Sequence, residues 1–241
     1  MLNLPRKSSG KSKDEPEKPF WISYADQMTS LMFLFLSVMV VSILSISHEV
    51  NLATVGERSR NSEIASFCNE IKKGAEKTNK NIQVDCHNNN IHFGSVGTFA
   101  HNDYRLSDEG QKALSDIVPV ILDVAESPEG KRWFKQIVIE GFTDTDGEYL
   151  YNLDLSLKRS EWVMCSLIDP YIGKYALTPE QRAMVKELFL AGGVSFNNAK
   201  ESKEASRRVE LRMHFFGIKD DVNRKTHHKF KTDQIERCPL K

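Results

Sequence analysis

The chain has 241 residues with 33 basic and 33 acidic side chains, a formal charge of zero at pH 7. That length holds one domain of ordinary size plus appendages, and without a basic excess nothing supports binding to nucleic acid. The balanced average conceals a very apolar segment near the N-terminus and a strongly polar remainder.

Residues 1–20 are rich in Lys, Ser, Pro and Glu, a composition that predicts a short disordered tail. Residues 21–46 contain one side chain charged at neutral pH, Asp26. A helix of that length reaches roughly 39 Å, enough to cross a hydrocarbon core of about 30 Å with some tilt. The apolar run is too long for a signal-peptide core and no convincing cleavage site follows, so an uncleaved anchor is expected. Arg6, Lys7, Lys11, Lys13 and Lys18 precede it, which keeps the N-terminus in the cytoplasm and exports the bulk of the chain. Trp21 and Tyr24 fall where an aromatic belt belongs. Ser23, Asp26, Ser30 and Ser37 share one helix face with Thr29 beside it, and such a polar stripe of small residues suits contact with protein rather than lipid. A carboxylate at membrane depth costs about 2.5–3.5 kcal/mol on insertion scales. Two roles meet that cost: a hydrogen-bonded aspartate that fixes helix pairing, or a carboxylate that carries an ion.

Residues 47–80 read as a linker. Its first part is weakly patterned, but Ile64, Phe67, Cys68, Ile71 and Ala75 repeat at helical spacing. That short helix leads into the next domain or pairs with its own copy, and Asn79-Lys80-Asn81 ends it. Residues 81–217 look globular. Alternation over 82–86 and 91–93 around Asn88-Asn89-Asn90 suggests a small hairpin. A helix is expected over 107–126 with Pro119 inside it, a buried strand over 136–141, and a helix over about 154–168 stopped by Asp169-Pro170. Thr178-Pro179-Glu180-Gln181 starts another helix with a capping threonine, which is expected to run to Gly192-Gly193. Residues 207–215 alternate strictly, as a half-buried strand does. This order predicts an α/β domain, helices packed on a small mixed sheet. Residues 218–241 form a polar tail.

Cys68, Cys86, Cys165 and Cys238 would lie in an oxidising compartment. Three pairings are possible and the sequence alone does not choose. Cys68–Cys86 and Cys165–Cys238 are favoured because each ties a flanking segment to the core. His87, His227 and His228 lack zinc-ligand spacing, so no metal is expected. No nucleophile–base constellation, phosphate loop or cofactor motif emerges, so neither an enzyme nor a cofactor is expected.

Two parts of the chain carry a resemblance. Trp21-Ile-Ser-Tyr-Ala-Asp-Gln-Met-Thr-Ser-Leu-Met32 resembles the membrane helix of MotB-like stator subunits. The exported part is similar to OmpA-like peptidoglycan-binding domains in three motifs: Gly141-Phe-Thr-Asp144, with Phe142 for the usual histidine; Asn152-Leu-Asp-Leu-Ser-Leu-Lys-Arg-Ser160; and Ser206-Arg-Arg-Val-Glu210. The resemblance implies that Asp144 meets the side-chain ammonium of diaminopimelate in a stem peptide. Arg159 would hold the adjoining carboxylate, and Tyr151, Asn152 and Leu155 would line the approach. Arg208 is expected to support this site and Arg207 to point to solvent. Taken without the resemblance, Asp144 reads as a turn residue, Arg159 as a surface ion pair and Tyr151 as a rim aromatic.

The resemblance further implies an inner-membrane subunit with one span and a periplasmic domain. It would work as a homodimer inside a ring of MotA-like (ZorA-type) multi-spanning subunits, held to peptidoglycan, with Asp26 carrying protons. A carboxylate in low dielectric can take a proton from one side and release it to the other. The compact layout resembles the B subunits of Zorya anti-phage systems, which have a MotA-like partner, more than flagellar MotB, whose connection to the wall domain is longer. Flagellar motility and a passive wall tether remain as alternatives.

Overall fold

The computed structural model describes residues 20–173, 175, 177–218, 220 and 236–240, with side chains at 20–23, 52 and 53 outside that description. The expected N-terminal tail, the Trp21 and Ser23 side chains, and most of the 218–241 tail therefore lie outside the described residues. The chain divides into two compact units, Met1–Val55 and Gly56–Lys241.

In the first unit the described residues are helical, belonging to α1 (Phe20–Thr78), and their described side chains are exposed. This helix is long and apolar enough to cross a membrane. Several of its hydroxyls are spent on its own backbone. Thr29 donates to the carbonyl of Ala25 at 2.7 Å, Ser30 to that of Asp26 at 2.9 Å, and Ser37 to that of Leu34 at 2.8 Å. Closing each donor inside the helix leaves less unpaired polarity for an apolar medium. The Asp26 carboxylate, in contrast, has no partner among the described residues.

The second unit begins inside the stretch expected as a linker. Ile64, Phe67, Cys68, Ile71 and Ala75 of α1 are all buried, as their spacing required. Phe67, Cys68, Ile71 and Ala75 join the core of this domain, and the Phe67 ring stacks on Phe134 with centroids 5.1 Å apart. Polar contacts tie the same segment down: the indole N–H of Trp133 donates to Glu63 at 2.7 Å, and Arg60 donates to the carbonyl of Phe216 at 2.7 Å. The Cys68–Cys86 disulfide, with Cα atoms 5.6 Å apart, joins this helix to the hairpin. Cys165–Cys238 pins the C-terminal segment in the same way, at 5.3 Å. Both pairings are those favoured from the sequence.

Five strands form one mixed sheet in the order β1 (Gln83–Asp85), β2 (Asn90–His92), β5 (Val209–Phe215), β3 (Phe134–Gly141) and β4 (Phe189–Gly193). All neighbours are antiparallel except β3 and β4. Strand β4 corrects the expected helix end. Helix α5 (Pro179–Leu188), opened by the reciprocal Thr178–Gln181 capping box, stops four residues before the glycines, and Phe189–Gly193 pairs with β3. Helices α2 (Asp108–Ala125), α3 (Pro128–Trp133), α4 (Tyr149–Ile168) and α6 (Lys203–Ser206) complete the fold. The short α3 was not anticipated. The buried side of α2 includes Ala113, Leu114, Ile117, Val118, Ile121, Leu122 and Ala125, which recur at helical spacing.

Two glycines set how closely α4 approaches the sheet. A Cβ at Gly141 would meet the carbonyl oxygen of Ser156 at 2.1 Å, and one at Gly193 would meet the Ser156 hydroxyl at 2.6 Å. Only glycine at the ends of β3 and β4 lets the middle of α4 settle this near.

Residues Arg208, Glu210 and Arg212 alternate with the buried Val209, Leu211 and Met213. Arg208 bonds Glu210 at 2.5 Å, and His92 and Asn90 complete the carboxylate at 3.1 and 2.6 Å. Burial opposes the Glu210 charge, but the hydrogen bonds from His92, Arg208 and Asn90 outweigh it and lower its pKa to about 2. A carboxyl depressed in the fold stabilises it above its unfolded pKa, and that contribution is lost as pH falls from about 4.5 towards about 2. The loss from this group should be on the order of 3 kcal/mol. Urea unfolding at pH 5 and at pH 2.5 should therefore show a shallower acid decline for Glu210→Gln than for the parent chain. Equal declines would mean that this cluster does not govern acid stability.

Candidate functional site

A pocket of about 220 Å³ forms where the end of β3, the first half of α4, the loop at His101-Asn102 and Arg207 meet. Strand β3 ends at Gly141 and delivers Phe142, Thr143 and Asp144 to its edge. Tyr151, Asn152, Leu155 and Arg159 fall along one side of α4, because residues three, four, seven or eight apart share a helix face. The structure thus brings all five sequence-named residues, Asp144, Tyr151, Asn152, Leu155 and Arg159, to one concavity.

Arg159 is fully buried, which no surface ion pair would be. Its Nε donates to the carbonyl of Asp103 at 2.9 Å, Nη1 to Phe142 at 2.6 Å and Nη2 to Ala100 at 3.3 Å. The guanidinium also lies over the Phe99 ring, 4.9 Å from its centroid. Three of its five N–H groups are occupied, and the other two have no partner among the described residues. Burial lowers its pKa to about 10, against the opposing pull of Asp144, which leaves it cationic at neutral pH.

Asp144 is also buried. One of its oxygens accepts from Arg207 Nη1 at 2.9 Å and the other from the backbone N–H of Asp146 at 3.2 Å, with His101 Nδ1 3.9 Å away. Burial works against its charge, yet these partners hold its pKa below the usual carboxylate range. The pocket therefore presents a fixed anion beside a fixed cation.

Of the arginine pair, Arg207 rather than Arg208 lines the pocket, and neither points to solvent. Arg207, expected in solvent, turns inward to Asp144 and donates to the carbonyl of Phe99 at 3.1 Å. Arg208 faces the other way, over the Phe142 ring at 4.0 Å and against Glu210. Arg207 closes helix α6 (φ −80°, ψ 76°), ahead of the first residue of β5.

Asn152 spends its amide N–H groups on the carbonyls of Asp146 and Glu148, at 2.8 and 3.2 Å, so it shapes the loop after Asp144. Leu155 is buried in the wall and Tyr151 is half exposed, its hydroxyl donating to the side chain of Asn102. Sequence reasoning missed His101, Asn102 and Thr143 as pocket residues. The buried Thr143 hydroxyl has no hydrogen-bond partner among the described residues, and such an orphan favours a ligand or ordered water. Thr143 stood inside the Gly-Phe-Thr-Asp motif, whereas no pattern marks the loop of His101 and Asn102.

His101, Asp144 and Asp146 also bring potential metal-ligand atoms within 4.8 Å of one another. Arg207 already pairs with Asp144, and Lys203 contacts both oxygens of Asp146 at 2.7 Å. Each of these carboxylates thus already carries one cationic partner.

No protein-family model matches the chain. The chain is 60% identical over 228 residues to the Zorya protein ZorB of Escherichia coli O139:H28 (strain E24377A / ETEC), a match covering 94% of this chain and 90% of that protein. Among solved structures it is similar to a putative MotB like protein from Desulfovibrio vulgaris, at 19% identity and a TM-score of 0.43, over 66% of this chain and 96% of that one. It is also similar to the cell wall anchor of the T6SS from Pseudomonas aeruginosa, at 19% identity and a TM-score of 0.37, over 64% of this chain and 97% of that one.

Proposed function

The chain belongs to the family of the Zorya protein ZorB, and from that membership we propose that it is a peptidoglycan-anchored, proton-conducting stator-type subunit of an inner-membrane motor, acting in defence against phage. The observation that carries this reading is the pocket in which Asp144 and Arg159 stand as fixed opposite charges. The side-chain end of diaminopimelate carries an ammonium and a carboxylate on one carbon. Asp144 receives the ammonium. The two unoccupied N–H groups of Arg159 receive the carboxylate, a bidentate contact that lysine could not reproduce.

Residues 21–46 cross the membrane with the N-terminus in the cytoplasm, and the wall-binding unit takes in α1 from Gly56 as well as residues 81–217. One helix cannot enclose an ion path, so the unpartnered Asp26 faces a multi-spanning MotA-like subunit. A ring of such subunits surrounds a dimer of this chain. Proton transfer works by neutralising and recharging Asp26, while the wall domain holds the chain still.

Cosedimentation of the full-length chain with purified peptidoglycan sacculi tests the anchor. A tripeptide containing diaminopimelate should compete at least about tenfold better than its lysine counterpart, because the latter lacks the carboxylate and forfeits a charge-assisted contact. Asp144→Asn should lower retention on the sacculi. Equal competition by the two tripeptides would remove the assigned roles of Asp144 and Arg159.

A further inference from the structure

His101, Asp144 and Asp146 offer one ring nitrogen and two carboxylate oxygens that all lie within 4.8 Å of one another. Imidazole joined with carboxylates suits zinc, which holds both at about 2.0–2.2 Å, whereas calcium and magnesium prefer oxygen alone. Two atoms at that distance from one ion stand about 3.3–4.2 Å apart. The 3.9 Å between His101 Nδ1 and Asp144 Oδ2 falls in this range. His101 and Asp146 are exposed, so small rotations of their side chains suffice for the third ligand.

The two cations already present differ in how firmly they sit. Lys203 and Asp146 are 57% and 43% exposed, and a surface pair of this kind is worth about 0–1 kcal/mol. A divalent ion displaces that lysine at little cost. Arg207 is only 12% exposed and bonds the carbonyl of Phe99 and Glu204 as well as Asp144. It stays in place and fixes the Asp144 carboxylate, as hydrogen-bonded partners of metal ligands commonly do.

An independent feature points to a ligand at the same place. The buried Thr143 hydroxyl belongs to a residue lining this concavity and has no partner among the described residues. A zinc ion with three protein ligands keeps an open position for water, and such a water is a partner of the kind that an orphaned hydroxyl lacks. All four cysteines are in disulfides, so no thiolate competes for the ion.

We propose that His101, Asp144 and Asp146 form a zinc site at the rim of the pocket, and that zinc there excludes the ammonium of a stem peptide. The exclusion rests on the peptidoglycan reading, since both cations need the Asp144 carboxylate. Zinc binding itself does not.

The test titrates the full chain in lipid nanodiscs with zinc chloride by calorimetry and, separately, sediments it with sacculi at rising zinc. The parent chain should bind about one zinc in a step that His101→Ala weakens at least about tenfold. Lys203→Ala should tighten the same step by removing the competing ammonium, a gain that a damaged fold would not produce. Zinc should release the parent chain from sacculi. Measured against its own zinc-free retention, His101→Ala should need at least about tenfold more zinc for the same release. No zinc step, or one that His101→Ala leaves unchanged, would overturn the site. A zinc step at these residues without release would overturn the exclusion alone. Failure of the parent chain to bind sacculi without zinc would overturn the Asp144 assignment, and calorimetry would still decide the zinc site.

Discussion

Asp26→Asn is expected to abolish protection against phage, bringing plating efficiency to that of cells without the system, while membrane levels and association with the partner subunit stay unchanged. Asparagine preserves the size and hydrogen-bonding shape of aspartate and removes only its ability to gain and lose a proton. A side chain that merely fixes helix pairing would tolerate the exchange. The structure sharpens this choice. Thr29 and Ser30 on the same stretch close their donors onto carbonyls of α1 itself, so they leave Asp26 uncompensated by its own helix. A carboxylate at membrane depth is costly without a partner, and under the proposed function a second chain supplies it. Immunoblotting of membranes and co-purification of the partner subunit separate loss of function from loss of assembly.

Arg159→Ala should destabilise the wall-binding unit by about 3–5 kcal/mol, the range for removing one member of a buried charged network. The change leaves three carbonyls, those of Ala100, Asp103 and Phe142, without their donor. It also removes one of the two guanidinium groups, beside that of Arg207, that act on Asp144. For a unit of this size the melting temperature should fall by roughly 10 °C. Loss of sacculus binding by that variant would not separate fold from function. Arg159→Lys does so: it keeps the charge but not the planar fork. Its signature is loss of the preference for the diaminopimelate tripeptide over the lysine tripeptide, with the unit still folded. A preserved preference would show that Arg159 serves the fold alone.

How much of this was legible depends on how strongly each residue's surroundings were local. The inner stripe of α1 and the buried face of α2 were readable because one amphipathic face repeats at helical spacing. Strand β4 was not, since Phe189-Leu190-Ala191 follows α5 with no turn residue between them and no alternation. That Arg207 rather than Arg208 lines the pocket was not readable from alternation, because Arg208 and Glu210 are buried along with Val209, Leu211 and Met213. In the site, Asp144 and Arg159 emerged from a resemblance, not from spacing. The contribution of His101 and Asn102 depends on a loop some forty residues before Asp144 in sequence, which only the folded chain brings to its side.

Proton flux into proteoliposomes bearing this chain and its multi-spanning partner, read with an internal pH-sensitive dye under an imposed membrane potential, tests the central claim most directly. The expected result is acidification with the parent chain and none above the lipid background with Asp26→Asn at equal incorporation. Equal flux from the two would contradict a proton path through Asp26.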